Sequence, residues 1–87
     1  MKVAVWDTYV TKKDGIIMHF DIIVPASIKE EQKIYTFGMK YLLSKKIEVQ
    51  KLTSSECQFC HIQEATESIK QSILKNGCYI YEMENCT

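Results

Sequence analysis

Residues 2–10 and 16–24 are two runs rich in β-branched and aromatic residues, with polar positions interspersed. Such runs favour strands. Lys12-Lys13-Asp14-Gly15 stands between them, and Asp-Gly in that place predicts a hairpin, because Gly accepts the positive φ of the turn. Two registers remain open. A two-residue turn sets Tyr9 opposite Phe20 and Val5 opposite Val24. A four-residue loop with a bulge at Gly15 sets Tyr9 opposite His19 and Asp7 opposite Asp21. The one-residue slip exchanges the faces of the pair.

Pro25 ends the second run. Ser27-Ile28-Lys29-Glu30 has the spacing of a capping box, and Ile34, Tyr35, Gly38, Tyr41 and Leu42 recur on one face of a helix over 28–45. Gly38 falls inside that stripe, where a missing side chain allows close approach to a sheet. Residues 47–52 read as a short strand. Thr53-Ser54-Ser55-Glu56, a second box, predicts a turn or short helix bearing Cys57, Cys60 and His61. Thr66 caps a further helix with Ile69 and Ile73 inward and Asn76-Gly77 as its stop, and 78–84 form a last strand. The expectation is an α+β domain in two layers: a sheet of three or four strands beginning with a β-hairpin, with two main helices packed on one face.

Three separate blocks carry a resemblance over nearly the whole chain. They are Trp6-Asp7-Thr8-Tyr9-Val10 with Asp14-Gly15 and Met18-His19-Phe20-Asp21; Glu56-Cys57-Gln58-Phe59-Cys60-His61; and Asn76-Gly77 through Met83-Glu84-Asn85-Cys86. Together they resemble a small bacterial family catalogued as domain of unknown function 2024. Asn85 stands where that pattern tends to have Gly, and Cys78 where an aromatic is usual. The resemblance implies an α+β fold and brings no biochemical activity with it.

With 87 residues the chain is one domain. Eleven basic and eleven acidic residues cancel, and every basic residue is Lys. Without Arg the chain lacks the forked donor that reads phosphates and guanine edges, which argues against nucleic acid. No apolar run approaches the roughly 20 residues of a membrane helix, and Asp7 interrupts the place of a secretory apolar stretch. A cytoplasmic protein with reduced cysteines is expected. The phosphate-cradling glycine patterns and the G-x-S-x-G elbow are absent.

Two groups of residues have chemical capacity. Cys57-Gln58-Phe59-Cys60-His61 matches the haem attachment spacing, C-x-x-C-H, but that attachment normally requires export. A zinc site would draw on Cys57, Cys60, His61 and Cys86, with His19 as rival to His61, yet a single C-x-x-C supplies only half a ligand set. As a redox pair, Cys57 and Cys60 would sit about a turn inside the helix, away from the position that activates a thiol. The plainer reading makes both small core residues, and neither metal nor cofactor is expected.

The second group is Asp7, His19 and Asp21, which share a face only in the bulged register. They are candidates for ligand binding, with Thr8 as a hydroxyl donor, or for general acid–base catalysis by His19 oriented by a carboxylate. The leading expectation is a ligand- or partner-binding domain. The alternatives are an enzyme using His19, Asp7 and Asp21 or the Cys57/Cys60 pair, and a zinc-stabilised structural domain. Trp6, Tyr9, Ile17, Ile23 and the C-terminal tyrosines would leave an apolar face that predicts a homodimer.

Overall fold

In a computed structural model, residues 1–49 and 51–86 are described. The elements are β1 (Lys2–Thr11), β2 (Ile17–Pro25), α1 (Glu31–Ser44), β3 (Cys57–Glu64), α2 (Glu67–Asn76) and β4 (Tyr79–Glu84). The four strands form one antiparallel sheet in the order β3-β1-β2-β4. The class is α+β, with the N-terminal hairpin at the centre of the sheet.

The hairpin takes the bulged register: Tyr9 pairs with His19 and Asp7 with Asp21. Its loop closes through Lys12 N–H to Ile16 O, Gly15 N–H to Lys12 O and Ile16 N–H to the Asp14 carboxylate. Gly15 holds φ at 85°, a value open to glycine at little cost.

This register divides the side chains. Ala4, Val10, Met18, Phe20, Ile22 and Val24 join Ile34, Tyr35 and Leu42 of α1 in the larger core, with Trp6 packed against it. On the opposite face Val3, Val5 and Ile23 join Ile69 and Ile73 of α2. The helices therefore cover opposite faces, which corrects the expected two-layer packing. The stripe on α2 needs only two isoleucines, and it meets the short apolar end of the odd-numbered face. Each fully buried Ile or Leu contributes about 1.5–3 kcal/mol.

α1 begins at Glu31, and Glu30 makes no side-chain cap bond, so the box at Ser27–Glu30 does not form. The box at Thr53–Glu56 does. Glu56 accepts from Thr53 N–H and the Thr53 hydroxyl at 2.8 Å, and Ser55 N–H donates to that hydroxyl. It closes one turn and releases the chain into β3 rather than a helix. The reason is nonlocal: β1 offers an open ladder edge, which β3 fills from Lys2↔Glu64 to Thr8↔Cys57.

The strand expected over 47–52 is absent among the described residues, residue 50 lying outside them. Both central strands already have two neighbours. Ile47 and Val49 pack against the larger core, while Leu52 is buried in it. These three side chains anchor the described part of the segment. Leu52 also meets α1 at Gly38, where an added Cβ would lie 2.8 Å from Ile22 Cδ1 and closer still to Leu52 Cδ1. Thr66 caps α2 by accepting from Ile69 N–H at 3.3 Å, and Gly77 ends it at φ 87°, both as the sequence predicts.

Candidate functional site

The odd-numbered face changes character along the hairpin. Beyond Val5 and Ile23 the inward positions become Asp7↔Asp21 and Tyr9↔His19, and α2 does not extend over them as it does over Ile23. Asp21 is only 9% exposed and Asp7 and His19 are partly exposed. His19 Nε2 lies 3.7 Å from Asp7 Oδ1 and 3.9 Å from Asp21 Oδ1. Both separations exceed a hydrogen bond.

His19 Nε2 and Asp21 Oδ1 are buried and have no hydrogen-bond partner among the described residues. Tyr9 stacks on the imidazole, with centroids 4.0 Å apart and planes 13° from parallel, which fixes the ring's orientation. Burial, followed by the adjacent Asp7 carboxylate, raises Asp21 to about 6, while His19 and His61 pull the other way. A buried carboxylate beside a second one resists ionisation. The group can bind a cation or a set of hydrogen-bond donors. It lacks the direct hydrogen bond of an imidazole–carboxylate base.

β3 brings a second contribution. Its pairing with β1 shifts between Val5↔His61 and Trp6↔Phe59, leaving Cys60 as the extra residue of a bulge. A bulge re-aims side chains. Cys57 faces the larger core and is buried there, whereas Cys60 is exposed and close enough to Asp7 and Asp21 for their carboxylates to raise its thiol. His61 contacts Cys60 Sγ at 3.1 Å through Nδ1 and Gln63 at 2.7 Å through Nε2. It also borders a cleft of about 320 Å³ shared with Asp21, Gln63, Thr66, Tyr79 and Tyr81, a size at the low end of small-molecule sites. A larger hollow of about 590 Å³ beside α1, lined by Glu31, Tyr35 and Leu52, brings no comparable set of unpartnered groups together.

Several expected groupings are broken. Cys57 and Cys60 lie on opposite faces of the sheet, so they do not form a redox pair. Desolvation, with the nearby Asp7 charge among the further causes, pushes both thiols up; at Cys57 a hydrogen bond from Thr8 partly opposes this. Neither is an activated thiolate. Cys86 is buried in the α1-side core, where its thiol donates to the backbone carbonyls of His19 and Glu84. Cys57, Cys60, His61 and Cys86 therefore cannot meet at one ion. Thr8 is buried on the α1 side and cannot serve the Asp7 group. Trp6 belongs to that side too, edge-on to Phe59 at 5.6 Å, and Ile23 is buried beside α2. The expected exposed apolar face thus reduces to Tyr9, Ile17 and Tyr81 with their surroundings.

Sequence reasoning did not join Cys60 and His61 to the Asp7–His19–Asp21 group. The signal is a bulge, which local sequence does not announce. Asn85 is legible in retrospect: it adopts φ 57°, the conformation for which Gly is suited, and its side-chain amide donates to Ile17 O at 2.8 Å.

No curated protein matches the chain significantly. The NMR structure of a protein from Nitrosomonas europaea is similar to it, with 39% identity over the whole of both chains and a TM-score of 0.86. A family model described as domain of unknown function (DUF2024) matches residues 1–83. The three sequence blocks, the fold that unites them and this match agree, and the chain belongs to the DUF2024 family.

Proposed function

We propose that the protein is a small ligand-binding domain whose site is the open half of the odd-numbered sheet face, centred on Asp7, His19 and Asp21. The supporting observation is the pair of buried atoms, Asp21 Oδ1 and His19 Nε2, that lie 3.9 Å apart and have no hydrogen-bond partner among the described residues. An unsatisfied buried polar group costs about 1–3 kcal/mol, a cost that a bound ligand offsets. The matching ligand is small and carries positive charge or several donors.

Binding is preferred to catalysis because no hydrogen bond joins His19 to either carboxylate, the nearer lying at 3.7 Å. The test is a fragment screen on ¹⁵N-labelled protein. Shifts confined to residues 5–9, 19–23 and 58–63, and lost in Asp7→Asn, support the reading. Shifts elsewhere, or none, oppose it. A pH-dependent turnover abolished by His19→Ala and kept in Cys57→Ser would favour the enzyme instead.

The same reading includes a bacterial cytoplasmic setting, consistent with four free cysteines; among the described residues no helix is long and apolar enough to span a membrane. It also includes a homodimer. Tyr9, Ile17, Tyr81 and Met83 are each about half exposed, an apolar set that a second copy would cover. Sedimentation showing only 10 kDa species at tens of micromolar would remove that part.

A further inference from the structure

We infer that Asp7, His19 and Asp21 are the protein ligands of a divalent transition-metal ion of the zinc class. This deepens the binding reading above and rests on it. One ligand atom from each residue lies within 4.8 Å of the other two. The separations of 3.7 and 3.9 Å from His19 Nε2 to the carboxylates are too long for direct hydrogen bonds. They are only slightly wider than the edge of about 3.4 Å expected for a tetrahedral shell with bonds near 2.1 Å. Modest side-chain rotation closes the difference.

A second observation is independent of the clustering. Asp21 is nine-tenths buried, yet its Oδ1 finds no donor among the described residues, and the facing His19 Nε2 is also unpartnered. A shared cation satisfies both atoms at once and neutralises two carboxylates that otherwise repel. The imidazole nitrogen selects against calcium and magnesium, which prefer all-oxygen shells. The residues sit on the two central strands, with the imidazole held flat by Tyr9, so little ordering is needed on binding. Three protein ligands leave at least one position for water or for a ligand entering from the cleft that Asp21 borders.

This assignment differs from a cysteine site. Cys57 and Cys86 lie behind the sheet and are not used.

The experiment uses the full chain, purified without a His tag and stripped with chelator, titrated with Zn²⁺ by calorimetry and observed by NMR of the histidine ring nitrogens. The expected result is one ion per chain, with the His19 Nε2 resonance shifted. Affinity should fall on the order of 100-fold or more in His19→Ala and Asp21→Asn, since even outer partners of a metal ligand are worth 10–100-fold. Cys57→Ser should leave it unchanged. His19→Gln, checked for native circular dichroism, replaces the alanine variant if that fails to fold. Absence of stoichiometric binding, or binding that survives in both ligand variants, overturns the metal site. If no ion binds but the stripped protein still binds fragments at these residues, the metal fails and the binding reading stands; if neither ion nor fragment binds, both fail.

Discussion

Asp7 and Asp21 are direct partners across the central pair of antiparallel strands, placing two carboxylates side by side on a half-covered sheet face. Like charges in that relationship are destabilising, and burial of Asp21 increases the cost. Folding alone does not favour this arrangement. Asp21→Asn should therefore stabilise the metal-free protein at neutral pH by about 1–2 kcal/mol, because the amide fits the same space and can donate to Asp7. Urea denaturation checks this; an unchanged or lower midpoint would show that Asp21 is already compensated.

The opposite sign is expected at the β4 edge. The Tyr41 hydroxyl donates to Glu82, and Lys45 lies 2.9 Å from the same oxygen. These two partners hold the Glu82 carboxyl below its usual range. A depressed carboxylate contributes stability that is present above its unfolded pKa and lost as pH falls through the lower folded value. The contribution should therefore disappear on acidification below the ordinary Glu range of about 4.3. Because Glu82 is largely exposed, screening keeps it to about 0.5–1 kcal/mol. Glu82→Gln should lose that amount at pH 7 and match the parent protein at acid pH, as read by thermal melts at both.

Gly38 is a packing contact between α1, the sheet and the 47–52 segment. Gly38→Ala gains roughly 1 kcal/mol of helix propensity, but its methyl would enter space held by buried Ile22 and Leu52. Overpacking costs about 1–3 kcal/mol, so a net loss of about 1 kcal/mol is expected in chemical denaturation. A gain in stability would mean that Leu52 moves freely.

The cysteines should separate by access. Cys60 is exposed, while Cys57 and Cys86 are buried. A thiol reagent under native conditions should modify Cys60 first, with Cys57 and Cys86 reacting roughly 100-fold more slowly or only after opening of the fold. Mass spectrometry of partly labelled protein decides it; comparable rates at Cys57 and Cys60 would contradict their placement on opposite faces.

Local signals determined much of this protein. Asp14-Gly15 marks the hairpin, Thr66 and Gly77 bound α2, and the apolar stripe from Ile34 to Leu42 marks the buried side of α1. Each depends on neighbours within a few residues, which is why the chain order alone reveals it. Chain order also singles out Asp7, His19 and Asp21 as polar residues needing a reason within apolar strands. It leaves their shared face dependent on one residue of register, and the tertiary structure chose the register that unites them. Other outcomes depended on distant partners. The open edge of β1 drew Cys57–Glu64 into a strand after a single capped turn, and with both central strands already paired on each side Ile47, Val49 and Leu52 are anchored by their side chains. A bulge at Cys60 then sent the two thiols of one motif to opposite sides. α2 covered the face opposite α1, because the apolar end of that face matched its two isoleucines while the charged end did not. Backbone pairing and burial between residues far apart in the chain made those choices, and no window of local sequence contains them.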